Sequence, residues 1–120
     1  MPVRAIRGAT CLSADDKDEM SEAVSEVLVE MLDRNGITQS DVISVLLTST
    51  PDLVCGFPAT AARKVGFSEL PLMCAQEINV EGALARTVRV MMHVETDIRR
   101  SEIEHVFLRG AQVLREDLNR

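Results

Sequence analysis

One stretch of the sequence carries a long apolar stripe with helical spacing. This stripe constrains the fold most, because the other apolar stretches are short. Apolar residues recur at three- and four-residue spacing from Met20 to Leu32, while the acidic residues of the stretch lie largely outside the stripe. Ser13, followed three residues later by Asp16, resembles a capping box, and Asn35-Gly36 ends the pattern. The stretch predicts one amphipathic helix that begins near Ser13.

The shorter apolar stretches predict mainly strands. Residues 42–48 are aliphatic and rich in β-branched side chains, which is typical of a buried strand. Residues 87–94 alternate, so that four apolar side chains share one face while Arg89 and His93 share the other. The remaining predictions are strands at residues 3–10, 71–75 and 105–108, a short helix at residues 59–65, and an extended segment at residues 111–115.

The order of these elements, β-α-β-α-β-β-β, predicts an α/β (α+β) fold in which a mixed β-sheet has its helices on one side. With 120 residues and 46% hydrophobic content, the chain is expected to form a single domain over residues 1–120, because a smaller piece would be too short to bury a core. A sheet covered on one side only leaves its other face exposed, which favours self-association.

Charge and aromatic content argue against two classes of partner. The formal net charge of −6 repels phosphate backbones and anionic lipid surfaces. The sequence has no Trp or Tyr and only three Phe residues, so platforms for base stacking are nearly absent. We therefore expect no nucleic-acid and no membrane partner, although an anionic small molecule can bind where positive charge is concentrated in a cleft.

The three cysteines are widely spaced, and no Cys-x-x-Cys pair or metal-finger spacing occurs. We therefore expect neither a disulfide scaffold nor a metal site. The first ten residues contain no apolar run like that of a signal peptide, and no later stretch approaches the length of a membrane span. These features indicate the reducing cytoplasm.

Arg89 is the most informative candidate residue, because it interrupts an apolar strand, where a permanent charge needs a partner or a ligand. The simpler interpretation is an outward-facing residue in water. Spacing alone favours that interpretation, since alternate positions of a half-buried strand are normally polar. Arg7, Arg63 and Arg115 are spread along the chain, and each alone is typical of a solvated surface residue. Only their convergence would indicate a site.

Glu77 follows a predicted strand that contains Cys74. The carboxylate can accept hydrogen bonds in a pocket, and the thiol can donate weakly or act as a nucleophile. Each alone is more typical of a surface carboxylate and an inert buried thiol. A nucleophilic cysteine needs a base, and nothing places His93 or His105, the only histidines, beside Cys74. The motifs of phosphate-binding loops, dinucleotide-binding folds and zinc hydrolases are absent.

Six segments, read together, resemble one enzyme family. They are Ile6-Arg7-Gly8-Ala9-Thr10, the stretch from Leu46 to Leu53, Phe57-Pro58-Ala59, Cys74-Ala75-Gln76-Glu77, Arg89-Val90-Met91-Met92, and Val113-Leu114-Arg115 with Asp117-Leu118. In order and spacing they resemble the trimeric, monofunctional bacterial chorismate mutases of the Bacillus type. The similarity covers nearly the whole chain and is more specific than any single motif.

The resemblance implies a chorismate-mutase-like fold assembled as a homotrimeric pseudo-barrel, with active sites in clefts between subunits. It implies that Arg89 lies near the ether oxygen of chorismate and that Arg7 binds a substrate carboxylate, and we expect these two residues on opposite sides of the cleft. Glu77 and Cys74 match residues around the ring hydroxyl. The other matched pocket, lid or pocket-mouth positions are Phe57, Ala59, Arg63, Met73, Phe107, Leu114 and Arg115.

The implied reaction is the rearrangement of chorismate to prephenate, a step in phenylalanine and tyrosine biosynthesis. It is unimolecular and pericyclic, so it requires no cofactor, metal or nucleophile. Catalysis can come from holding the enolpyruvyl arm over the ring and from stabilising the negative charge that develops on the ether oxygen. Arginine suits both tasks, because its fork binds carboxylates and it stays charged in a desolvated site.

Two positions depart from the family pattern. Phe107 stands where Tyr is usual, and Thr60 stands where Lys is common, so one hydroxyl and one positive charge are absent. Two rival functions remain: a non-catalytic trimer that binds small carboxylates, and a hydrolase or transferase based on Cys74. The retained Arg7, Glu77 and Arg89 argue against the first rival, and the missing local base argues against the second.

Overall fold

The computed structural model describes residues 1–114 of the chain. Within that range the chain forms five strands and two helices in the predicted order. Their bounds are β1 Val3–Cys11, α1 Lys17–Arg34, β2 Val42–Ser49, α2 Pro58–Lys64, β3 Leu72–Gln76, β4 Thr87–Glu95 and β5 Val106–Phe107.

The five strands form one mixed sheet in the order β3-β2-β4-β1-β5. The central strand β4 is antiparallel to both of its neighbours, β1 and β2. The parallel pairs β2–β3 and β1–β5 lie at the two edges. Both helices pack against the sheet and against each other, so they lie on the same side of it. The predicted α+β fold, a mixed sheet with helices on one side, is confirmed.

Helix α1 begins at Lys17, whereas the capping pattern predicted a start near Ser13. Asp16 is the N-cap residue, and its side chain accepts a hydrogen bond from the Glu19 backbone N–H at 2.8 Å. Glu19 in turn accepts from the backbone N–H and the hydroxyl of Ser13, at 2.6 and 2.9 Å. The Asp16 carboxylate therefore satisfies the Glu19 N–H in the first turn, and Ser13 does not cap the helix but holds the preceding loop against it through Glu19.

The core lies between the helices and one face of the sheet. The apolar stripe of α1 is buried, and so are the four alternating side chains of β4 from Val88 to Val94. Gly8 lets α1 approach β1 closely, because a Cβ at this position would lie 2.4 Å from the Met31 sulfur. The helices therefore cover this face tightly and leave the opposite face open.

Strand pairing aligns the side chains of the open face in rows. Arg7 of β1 pairs with Met91 of β4, and Thr48 of β2 pairs with Arg89. Met73 of the edge strand β3 shares this face and is 64% exposed. The charged alternate positions of β4 therefore lie on the open side, as the alternation predicted. No helix in the described part of the chain is long and apolar enough to cross a membrane.

The prediction of an extended segment at residues 111–115 is wrong where the structure describes it. Residues 111–114 form a 3₁₀ turn, and Arg115 lies outside the described residues. The turn follows Arg109 and Gly110, whose φ values are +52° and +95°, and the Ala111 N–H donates to the Leu108 carbonyl at 3.0 Å. Two successive residues in the left-handed region turn the chain away from an extended path.

Candidate active site

Arg89 and Glu77 form an ion pair on the open face of the sheet. Arg89 lies in β4, and Glu77 follows the end of β3, where its backbone N–H donates to the Ser49 carbonyl at 2.9 Å. The Glu77 carboxylate accepts hydrogen bonds from Nε and Nη2 of Arg89 at 2.8 and 2.6 Å. The Arg89 side chain is 44% exposed. It therefore faces outward, as the simpler interpretation held, but in a bidentate pair that fixes the guanidinium relative to the Glu77 carboxylate.

Glu77 is also held from β2. The hydroxyl of Thr48 donates to Oε2 of Glu77, and the Glu77 side chain is only 17% exposed. The hydrogen bonds from Arg89 lower the pKa of Glu77 below its ordinary value, and the Thr48 hydroxyl lowers it further, against the raising effect of burial. The carboxylate is therefore ionised at neutral pH and holds the Arg89 guanidinium in one plane.

Arg7 lies on the same face, in β1. Its backbone N–H donates to Nδ1 of His105 at 2.9 Å, and its guanidinium carbon lies 5.5 Å from the centre of the Phe107 ring. That distance is typical of a cation–π contact. Burial, together with the charge of Arg7, lowers the pKa of His105, so the imidazole is neutral at neutral pH and its Nδ1 can accept the hydrogen bond.

Arg7 and Arg89 line one cavity of about 220 Å³, and Glu77, Thr48 and Phe107 form part of its wall. The rest of the wall is Gly8, Leu46, Val90 and Met91. Two guanidinium groups beside an apolar wall suit a small molecule that carries both carboxylates and an apolar part. Both arginines belong to one chain, so the expectation that they lie on opposite sides of a cleft between subunits is wrong for this cavity.

The other predicted site residues lie in neighbouring or separate places. Leu114 lines an adjoining cavity of about 360 Å³, which shares Glu77 and Arg89 with the first. Phe57 and Cys74 line a different cavity of about 370 Å³, near the start of α2 and the end of β3. Phe57 is 73% exposed there. One chain thus presents two groups of predicted site residues that it does not bring together.

Cys74 is directed away from the two arginines. It pairs with the buried Leu47 and packs against the core on the helix side of the sheet, whereas its neighbour Met73 points to the open face. No histidine lines the cavity of Cys74 within the described residues. The geometry therefore gives the thiol no base and does not favour nucleophilic chemistry.

Ala59 and Arg63 both lie on α2, one turn apart. Ala59 is buried in the core, and Arg63 is exposed in the last turn. An exposed arginine at the rim of α2 can reach a ligand only if that ligand, or another chain, lies against this side of the molecule.

Five residues of the cavity wall had no role predicted from the sequence: Gly8, Leu46, Thr48, Val90 and Met91. Alternation along β2 places Leu46 and Thr48 on one face, and this signal is present in the sequence. The pairing of β2 with β4, which puts Thr48 opposite Arg89, is a long-range contact that no local pattern shows.

Comparison with known proteins identifies the family to which this chain belongs. Residues 3–118 match the family model described as chorismate mutase type I. The chain is 40% identical over 120 residues to the chorismate mutase AroH of Bacillus subtilis (strain 168), covering 99% of this chain and 94% of the relative. It is 41% identical over 117 residues to chorismate mutase AroH of Thermus thermophilus, with 97% and 96% coverage.

A solved structure agrees with these relatives. A chorismate mutase from Clostridium thermocellum superimposes with a TM-score of 0.89 and is 47% identical, and the match covers 91% of this chain and 97% of that chain.

Proposed function

We propose that the chain rearranges chorismate to prephenate in the cavity lined by Arg7 and Arg89. The chain belongs to the chorismate mutase type I family and is a chorismate mutase, which is an isomerase. The observation that carries this assignment is the bidentate pair with Glu77, which orients Arg89 in the cavity that Arg7 also lines. The reaction serves phenylalanine and tyrosine biosynthesis. The three cysteines are free thiols, which agrees with a reducing cytoplasm as the place of the reaction.

The mechanism needs two contributions from the chain. Chorismate breaks its ether C–O bond and forms a new C–C bond within one molecule, so all atoms balance without a co-reactant. Arg7 binds a substrate carboxylate and holds the enolpyruvyl arm near the ring, which reduces the entropy lost in reaching the transition state. Leu46 and Met91 form an apolar part of the cavity wall, which excludes water from the bound substrate ring.

Arg89 supplies the second contribution, which is stabilisation of the charge that develops on the ether oxygen. A guanidinium that is already oriented loses no reorganisation energy when that charge appears. Glu77 provides the orientation through two hydrogen bonds to Arg89, at 2.8 and 2.6 Å. In this chain Phe107 offers Arg7 the face of an aromatic ring and no hydroxyl.

We also propose that the site is completed by a second copy of the chain, in a homotrimer. Phe57 and Cys74 lie in a different cavity from Arg7 and Arg89, so a single chain does not unite the residues that the family resemblance groups together. Several large exposed apolar side chains line these or adjoining cavities, as an interface between copies requires. Val54 and Phe57 line the cavity of Cys74, and Ile78 and Val80 line the cavity that shares Glu77 and Arg89 with the first.

Complementation tests this arrangement. An equal mixture of Arg89→Ala and Arg63→Ala chains, each of which we expect to be inactive alone, should recover roughly a quarter of the wild-type activity after subunit exchange, because random trimers place an intact Arg89 beside an intact Arg63 of a neighbour at that frequency. The matched control is a mixture of Arg7→Ala and Arg89→Ala, which should recover none, since both residues line one cavity of the same chain. No recovery in the first mixture, or a fully active monomer in sedimentation, would contradict the shared site. Recovery in the control would contradict the assignment of Arg7 and Arg89 to one chain.

The reaction itself is tested by incubating the purified protein with chorismate and measuring prephenate. We expect enzyme-dependent conversion. Tight binding of chorismate without conversion would instead indicate a carboxylate-binding protein.

A further inference from the structure

Thr48 connects the ion pair of the cavity to a second strand. It lies in β2, directly opposite Arg89 of β4, and its hydroxyl donates to Oε2 of Glu77. The same oxygen accepts the hydrogen bond from Nε of Arg89 at 2.8 Å. One carboxylate oxygen therefore accepts hydrogen bonds from β2 and from β4, and Glu77 itself is the residue that follows β3.

The geometry of the pair shows what the Thr48 contact adds. The two hydrogen bonds between Arg89 and Glu77 fix these side chains relative to each other, but a bidentate pair on two flexible side chains can still swing as one unit over the open face. Thr48 is β-branched and half-buried, so its own side chain has little rotational freedom. A hydrogen bond from this stiff side chain ties the pair to the sheet.

We propose that Thr48 is a positioning residue for the rearrangement, and that its hydroxyl holds Glu77 in the position that aims Arg89 at the ether oxygen. The inference rests on the proposed role of Arg89. Thr48 acts on the reacting atoms only through Glu77 and Arg89.

Two simpler roles predict different kinetics. If Thr48 only fills space in β2, the isosteric change Thr48→Val leaves turnover unchanged, since valine keeps the branched shape. If the hydroxyl binds substrate directly, the same change raises KM and leaves kcat nearly intact. A positioning role lowers kcat, because the loss appears when charge develops in the transition state.

The experiment compares Thr48→Val, Thr48→Ser and a matched control, Thr10→Val. Thr10 is a fully buried residue of β1, two strands away from β2, and its hydroxyl has no hydrogen-bond partner within the described residues. We expect Thr48→Val to lower kcat about tenfold with KM nearly unchanged, the factor that follows from losing one hydrogen bond to a charged group. Thr48→Ser should restore most of the lost turnover, and Thr10→Val should turn over like the wild type.

A double-mutant cycle tests whether Thr48 acts through Glu77. In a Glu77→Ala chain the hydroxyl has no carboxylate to hold, so adding Thr48→Val should cause no further loss of kcat. An equal additional loss in that background would overturn the inference, and so would a wild-type kcat for Thr48→Val or an effect on KM alone.

Arg89→Ala, assayed in parallel, separates this inference from the proposed function. If Arg89→Ala is nearly inactive while Thr48→Val behaves like the wild type, only the role of Thr48 is refuted. If Arg89→Ala is itself fully active, the mechanism on which the inference rests is refuted. Thermal unfolding of each variant shows whether the fold is kept. Should the valine variant fold poorly, Thr48→Ala, which also removes the hydroxyl, decides the outcome.

Discussion

Replacing Glu77 by glutamine tests whether the negative charge of Glu77 orients Arg89, because the two side chains have nearly the same shape. In the wild type one carboxylate oxygen accepts from Thr48 and from Nε of Arg89, and the other accepts from Nη2 of Arg89. A glutamine amide presents one oxygen and one NH₂ group, so at least one donor of Arg89 or Thr48 faces another donor. The variant also removes the negative charge that orients the guanidinium.

The size of the effect follows from these contacts. A hydrogen bond to a charged group contributes about 1.5–3 kcal/mol. The Arg89 side chain is 44% exposed, so water replaces part of what is lost and the lower end of that range applies. We therefore expect Glu77→Gln to lower kcat about tenfold, since about 1.4 kcal/mol corresponds to a factor of ten.

The pH profile gives a second readout. The pKa of Glu77 is lowered in the folded enzyme, mainly by the hydrogen bonds from Arg89, so the ion pair is intact above that pKa and is lost as the pH falls through it. Wild-type kcat should therefore decline on the acid side, and Glu77→Gln should lack that decline because it has no carboxyl group to protonate. Circular dichroism at each pH separates the decline from acid unfolding.

The matched control is Glu102→Gln, which breaks an exposed ion pair between Arg99 and Glu102 at 3.8 Å. It should leave kcat and the pH profile unchanged, because exposed pairs contribute little. A wild-type kcat for Glu77→Gln, together with an unchanged acid limb, would refute the orienting role of Glu77.

Three further outcomes are expected. Gly8→Ala should destabilise the fold by about 1–3 kcal/mol in thermal unfolding, because its Cβ would lie 2.4 Å from the Met31 sulfur in a buried site; an unchanged melting temperature would show that Met31 moves aside freely. Cys74→Ser should keep most of its kcat, since Cys74 packs on the helix side of the sheet; a covalent substrate adduct on Cys74 would contradict this. Chelators should not affect the rate, because no cluster of three potential metal ligands occurs in residues 1–114; inhibition that added zinc reverses would be the contrary result.

The order and type of the elements could be predicted from the sequence because they depend on local periodicity. The stripe of α1 and the alternation of β4 each repeat over many residues, and both are found as predicted. Alternation also placed Arg89 on the outward face. The error at residues 111–115 has a local cause, since apolar spacing alone did not reveal that Arg109 adopts a left-handed conformation before Gly110.

The composition of the site depends on contacts between distant segments, and these could not be predicted. Strand alternation, which is visible in the sequence, sends Cys74 to the helix side, but the hydrogen bonds between Glu77 and Arg89 join the end of β3 to β4 across β2, and no local pattern specifies them. Arg7 and Arg89 line one cavity because β1 and β4 are neighbours in the sheet, a pairing that no local pattern specifies. The contact of Thr48 with Glu77 depends on the same kind of long-range pairing.

The central claim is that Arg89 stabilises the negative charge that forms on the ether oxygen, and single-turnover conversion of bound chorismate by Arg89→Ala tests it most directly. Loss of one preorganised donor should slow conversion about 10²–10³-fold. Arg89→Lys should remain slow as well, because an ammonium on a flexible stem lacks the planar fork. Arg99→Ala is the control, since Arg99 is a highly exposed arginine outside the cavity, and it should convert chorismate at the wild-type rate. Conversion by a folded Arg89→Ala chain at the rate of that control would contradict the account.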